Sequence, residues 1–497
     1  ASHAIQHLVV WVTPVEAAWL TATGARVAAV FLHERNSFNS NALVPVFPES
    51  LDSLKLFSPY LTRLPESFGR LTSLKTLDLG SCNSLTRLPE SMGQLAALTT
   101  LVLSTCEALT ALPESMGQLA ALRLLDLSNC PALTALPESM GQLAALTTLE
   151  LSAGVSLTEL PGSVVQLTAL NKLILLDCCS LAGLPDSLGQ LVALTRLELS
   201  ACGLTALPES VGQLAALTTL TLRDCSYLTG LPESMGQLAA LTRLDLSYCG
   251  WLTRLPESMG QLAALTFLDL SYCRSLTGLP ESLGQLTELT TLLIDYSVQL
   301  LSQLPLCIAT MCVPASLSFS FADSLTRLPE SLGQLAALTS LDLSHCVWLT
   351  GLPESMGQLV ALTTLDLSYC SSLTALPESI GQLAALATLH LSKCSFMTSL
   401  PETVGHLVAL TSLDLRDCRW LTALPKSMGQ LAALTKLDLS YCGSLTGLPE
   451  SICRLTALID LAVAECHRLA PAMHSWARNL VAANQRLARW RRCELLL

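Results

Sequence analysis

LTTLVLSTCEALTALPESMGQLAA, residues Leu98 to Ala121, is followed from Leu122 by LRLLDLSNCPALTALPESMGQLAA, and the same letters recur along most of the chain. The general form LxxLxLSxCxxLTxLPESxGQLAA runs from about Leu51 to Leu469 with a step of 24 residues. Leucines recurring at a fixed step of this size mark a solenoid, because a single unit cannot bury its apolar face alone and stacked units share one core. Function is then to be sought on a long repeated surface rather than in one pocket.

Within a unit, Leu77-Asp78-Leu79 has the period-2 alternation of a short strand, with alternate side chains turned inward. The Leu-Pro-Glu-Ser segment that follows places proline where a backbone donor is dispensable, which predicts a short helical or 3-10 turn on the outer face. Strands of successive coils then pair in parallel, and the wider helical side bends the array. The expected fold class is an α/β solenoid: a horseshoe with a parallel β-sheet on its concave face and short turns on its convex face. About eighteen units fill residues 51–469. Residues 1–50 carry no clear repeat and read as a flanking cap, with Val27 to Leu32 as a candidate strand. Residues 470–497 read as a capping helix, from the helical apolar spacing of Trp476 to Trp490. The sole internal break in the pattern lies near Leu304-Pro305-Leu306-Cys307-Ile308, in the coil entered at Leu289.

Bulk composition narrows the classes. The chain has 497 residues, of which 51% are hydrophobic and only 13% charged. Its mean hydropathy is positive, yet no apolar run of about 18 residues is present to span a bilayer. The apolar stretch Leu8 to Leu20 is interrupted by Pro14 and Glu16, which makes a poor leader, although Ala1 is not an initiator methionine. Net charge is −12, and the six arginines from Arg468 onward against Glu494 leave the rest near −17. An acidic body repels phosphate backbones and favours basic partners, so a protein partner is expected and a nucleic acid is not. The tail arginines Arg486, Arg489, Arg491 and Arg492 read either as a contact for an acidic surface or as the solvated face of the cap.

Fourteen of the nineteen cysteines occupy one slot just past the strand, from Cys82 and Cys106 to Cys442 and Cys466. A thiol there acts as a small hydrophobe with a weak donor. With no Asn-x-Ser/Thr sequon in the chain, the pattern points to reduced thiols in a cytoplasmic, reducing setting.

The unit resembles the leucine-rich repeat family. Leu365 to Ser379 and Leu437 to Ser451, of the form LDLSxCxSLxxLPES, are similar to the repeats of plant nucleotide-binding immune receptors. That resemblance implies a parallel sheet lining the concave side and ligand recognition mostly there, with immune-type sensing as the role. Those receptors switch through a nucleotide-binding module, and no GxxxxGK[ST] loop occurs here.

Two columns of candidate binding residues emerge. Mid-strand acids form one: Asp245, Asp269, Asp342, Asp366, Asp414 and Asp438, continuing Asp78, Asp126, Glu150 and Glu198. A stripe of like charge attracts basic peptides, although the same aspartates read equally as duplicated solubilising residues. The second lies beside the cysteine slot: Tyr248, Tyr272, Tyr296, Phe321, His345, Tyr369 and Tyr441. Two residues past the cysteine come Tyr227, Trp251, Trp348, Phe396 and Trp420. Clustered exposed aromatics anchor interfaces, while rings packing on one another to cover the sheet edge explain them as well. No zinc-spaced cysteine pairs, HExxH or GxSxG elbow appears, so no cofactor, metal site or catalytic residue is expected. The function expected is a non-catalytic recognition scaffold. The alternatives are a constitutive subunit of a large cytoskeletal or organellar assembly and the regulatory arm of an enzyme.

Overall fold

In the coil that opens at Leu98, Thr100–Val102 forms a three-residue strand with Leu101 turned inward. The chain then leaves the strand, and Leu103, Cys106, Leu109, Leu112, Met116 and Leu119 all point into the core. Fully burying each leucine contributes roughly 1.5–3 kcal/mol. Pro113 precedes a 3-10 turn over Glu114–Gln118, closed by Met116 N donating to Pro113 O and Leu119 N to Met116 O. The turn stays short because coils stack closely through it: a Cβ on Gly141 would lie 2.6 Å from the carbonyl oxygen of Ser163 one coil on. Glycine is required at that close approach. The preceding Pro-Glu-Ser letters are equally structural, since Glu114 Oε2 accepts the backbone N–H of Ser139 and Glu138 that of Ser163.

The computed structural model describes residues 11–12, 29–33, 51–296, 315–322 and 325–494, of which 11–12, 29–33 and 486–494 are described as backbone only. It contains two compact units, Ala1–Leu252 and Thr253–Leu497. The division falls within regular repeats, and no change of letters marks it, whereas the sequence break near Leu304 lies outside the described residues. In the first unit, strands from Trp11–Val12 to Arg243–Asp245 pair in parallel, with central leucines in register: Leu54 with Leu77, Leu77 with Leu101, Leu101 with Leu125. Its early strand is Ala29–His33, slightly later than the sequence suggests, paired in parallel with Ser53–Phe57. In the second unit, strands from Phe267–Asp269 to Asp460–Ala462 do the same. Thr291–Leu293 and Ser316–Ser318, on either side of the sequence break, remain paired.

The final coil has no successor to take its carbonyl groups, and the helix Pro471–Glu494 covers it. Asn484 Nδ2 donates to the carbonyls of Leu455 and Leu458, both at 2.9 Å, and Gln485 Nε2 to that of Ile459. The helix is longer than its apolar spacing implies because Pro471 is tolerated in a first turn. The side chains of Arg486, Arg489, Arg491 and Arg492 lie outside the described residues. Among the described residues no helix is long and apolar enough to cross a membrane.

Candidate functional site

Where each strand ends, one turn is repeated. The mid-strand aspartate folds back and accepts the backbone N–H two residues on: Asp342 Oδ1 from Ser344 and Asp366 Oδ1 from Ser368, each at 2.8 Å. The next residue then takes a left-handed conformation in coil after coil, from Ser81 (φ 65°) to Glu465 (φ 58°). That costs a non-glycine residue about 1–2 kcal/mol, and a hydrogen bond to the next coil holds it there, as His345 N to Ser368 O does at 2.7 Å. The cysteine after it is buried, and its Sγ donates to a carbonyl of the coil before: Cys370 to Leu343 O and Cys394 to Leu367 O, both at 3.1 Å. Burial pushes the thiols up, to about 11 for Cys130 and about 12 for Cys442. None of the described cysteines is in a disulfide, and among them only Cys179 and Cys453 are exposed.

The turn sets the fate of the aromatic column. In the second unit Tyr272, Tyr296, Phe321, His345 and Tyr369 occupy successive left-handed positions. Their rings stack face to face, with centroids 4.0, 4.4, 3.9 and 3.9 Å apart. Lys393, in the same slot of the next coil, sits 4.3 Å over the Tyr369 ring and reaches its hydroxyl at 3.0 Å. Arg416 similarly covers Tyr441, and in the first unit Arg223 covers Tyr248. From Tyr296 to Tyr369 both faces of each ring are occupied, so these rings present edges. Burial in the stack lowers the His345 pKa, against the opposing pull of Asp342 and Asp366.

The row two residues past the cysteine is different. Trp251 in the first unit is 64% exposed, and Trp348, Phe396 and Trp420 in the second are 61%, 56% and 58% exposed. Backbone hydrogen bonds align this row between coils: Ser372 N donates to Val347 O, Phe396 N to Ser371 O and Ser444 N to Arg419 O. A cavity of about 470 Å³ opens beside Trp420, lined also by Tyr441, Ser444 and Arg468.

The acidic column is less open than its alternation suggests. Asp245 is 8% exposed, takes bonds from Ser247 N and Oγ, and pairs with Arg243. Asp269 accepts from Ser271 N, and Asp414 and Asp438 use one oxygen likewise. In the first unit Lys55 pairs with Asp78 and Arg196 with Glu198. In the second, Asp342, Asp366, Asp414 and Asp438 have no lysine or arginine within ion-pair distance among the described residues. Reading the sequence alone missed Lys393, Arg416, Ser372, Ser444 and Arg468. Aligning the slot two past each cysteine would have exposed the last three, since serine interrupts the aromatic run there.

A family model described as leucine-rich repeat region matches residues 111–202, 185–304 and 329–419, and a single-repeat model matches 73–95 and 433–455. This chain belongs to the leucine-rich repeat family. A solved leucine-rich repeat protein of Leptospira interrogans is 27% identical over 90% of this chain and 92% of its own, with a TM-score of 0.55. A plant peptide hormone receptor, RGFR1 in complex with RGF2, is 20% identical with a TM-score of 0.46, over 92% and 88% of the two chains. A TLR13 complex with single-stranded RNA is 21% identical, also at 0.46, over 86% and 64%. No curated protein sequence matches. Leucine-rich repeat solenoids are generally protein-interaction modules, and among the described residues no cluster of side chains could hold a metal ion.

Proposed function

We propose that this leucine-rich repeat chain is a non-catalytic recognition module that docks a protein or peptide on the strand-exit surface of its second unit. The observation carrying this reading is the row Trp348, Phe396 and Trp420, more than half exposed on a rigid, hydrogen-bonded turn scaffold. Rigid aromatic rings bury large areas with little loss of side-chain entropy, which is what interface anchors require. The second oxygens of Asp342, Asp366, Asp414 and Asp438, one turn away on the strands, favour a partner with some basic groups and disfavour a phosphate backbone. Buried thiols that form no disulfide suit a reducing, cytoplasmic setting, and the immune-receptor-like letters of the repeat make sensing the role we favour.

The test is selection of binders from a displayed random-peptide library on the purified protein. Replacing Trp348, Phe396 and Trp420 together by alanine should weaken the selected peptides at least about tenfold, the usual reach of anchor residues. Replacing the exposed Val360 and Val408, away from this row, should leave them unchanged. Binders indifferent to the aromatic triple variant would defeat the reading.

A further inference from the structure

Within that docking reading, we infer that the occupant is a proline-rich segment in polyproline II conformation that carries an acidic residue. Two notches break the aromatic row of the second unit. In one, Trp348 and Phe396 are walls on either side of half-buried Ser372; in the other, Trp420 and Arg468 flank half-buried Ser444, with Tyr441 behind. The walls of each notch stand two coils apart, about 8 Å if they follow the 3.9 Å step of the neighbouring rings and roughly 9–10 Å if they follow the strand spacing. A polyproline II turn is about 9 Å long. An α-helical turn rises about 5.4 Å and fits less well, whereas the repeat of about 7 Å along one face of a β-strand is admitted by the spacing and is set aside by the hydrogen bonding.

Hydrogen-bonding chemistry points the same way. The N–H groups of Ser372, Phe396 and Ser444 are already bonded to the preceding coil, so an added β-strand finds no ladder to join. What remains are donors: the hydroxyls of Ser372 and Ser444 and the indole N–H groups of Trp348 and Trp420, none bonded within the described chain. A proline-rich chain offers carbonyl acceptors and no N–H, and its conformation is fixed before binding, which suits aromatic walls with a few donors.

Charge completes the assignment. Arg419 is held by Asp417 at 2.8 Å, and His467 lies 3.6 Å from Glu465. Arg468 has no acid within ion-pair distance among the described residues, and it is exposed. An aspartate or glutamate at one end of the bound segment would meet it. The acidic column lies beside the strands, one turn away, and is served by other parts of the partner.

The probe is a fluorescein-labelled oligoproline of about ten residues bearing two aspartates at one end or the other, measured by anisotropy with the whole chain. A Gly-Ser chain with the same aspartates is the control. Binding of the oligoproline at least about tenfold tighter than the control is expected, with Ser444→Phe and Trp420→Ala each costing about tenfold at unchanged melting temperature. Arg468→Glu should reverse the preference from aspartate-bearing to lysine-bearing oligoproline. Equal binding of the two probes, or indifference to Ser444→Phe, overturns the inference. If library-selected peptides bind the aromatic row but oligoproline does not, the conformation assigned here is wrong while the docking reading stands. If neither binds there, both fall.

Discussion

The two units use the same turn for different purposes. In the first unit, the left-handed position after each strand holds Ser81, Thr105, Asn129, Ala153, Asp177, Ala201, Asp224 and Tyr248. In the second it holds Tyr272, Tyr296, Phe321, His345, Tyr369, Lys393, Asp417, Tyr441 and Glu465. The dihedral angles are alike, and so are the bonds to the next coil: Ala201 N to Arg223 O and His345 N to Ser368 O are both 2.7 Å. The scaffold thus fixes the backbone and leaves the side chain free. Whatever distinguishes the second unit was written into those free positions without disturbing the coils beneath.

If the scaffold is common to both units, core damage should cost the same in each. Leu125 and Leu365 are central strand leucines, both fully buried. Truncating either to alanine should destabilise its coil by about 2–5 kcal/mol, read by hydrogen exchange of the flanking strand amides. A gap between the two larger than the spread of such measurements would mean that the units differ below the surface, and the comparison would have to be redrawn.

The leucine periodicity and the parallel strands were legible in the sequence, because burial of leucine dictates them and leucine has one role in this fold. Less legible was anything in which one residue has two roles. Asp366 reads as an open surface charge, yet one of its oxygens closes the turn on Ser368. Glu114 recurs in its slot as a structural letter, but its partner, the backbone N–H of Ser139 in the following coil, is not apparent from the letters. The left-handed slot was hard to see because tyrosine, serine, threonine and alanine fill most of it, and only Asn129, Asp177, Asp224, Asp417 and His345 give the customary signal. As a result the sequence left the tyrosine column open between an interface anchor and rings packing on one another; the rings from Tyr272 to Tyr369 do stack, and the more exposed rings lie two residues past the cysteine.

That slot offers a sharper test, because glycine should act with opposite sign in the two units. At Ala201, φ is 53° and no ring is at stake, so Ala201→Gly relieves the left-handed conformation. Offset by the freer unfolded chain, the gain should be up to about 1 kcal/mol. Tyr296, at φ 56°, is stacked on one side by Tyr272 and on the other by Phe321. Each aromatic pair is worth about 0.5–1.5 kcal/mol beyond the area it buries, so Tyr296→Gly should destabilise by about 1–2 kcal/mol despite the relieved backbone. Denaturant midpoints moving in the same direction for both variants would show that the stack contributes little.

The smallest effect singles out the second unit by its one imidazole in the stack. Between Phe321 and Tyr369, burial favours the neutral form of His345 and depresses its pKa below the ordinary 6.5; Lys393 adds to this while Asp342 and Asp366 oppose it. In the window between its folded value and 6.5 the unfolded chain binds the extra proton. The contribution of His345 is therefore fully present above pH 6.5 and is lost as pH falls through the folded value. Asp295 and Glu150, both raised chiefly by burial, drive stability the other way on acidification, so the absolute trend mixes several groups. The difference between the protein and its His345→Phe variant isolates one of them, since phenylalanine keeps the ring stack without the proton. That difference should change between pH 6.5 and 5 and be flat above pH 7, with the melting temperature of the unmodified chain falling relative to the variant. An imidazole resonance titrating at or above 6.5 would show that the carboxylates of Asp342 and Asp366 outweigh burial, and the stack would then have to be read as gaining from a charge.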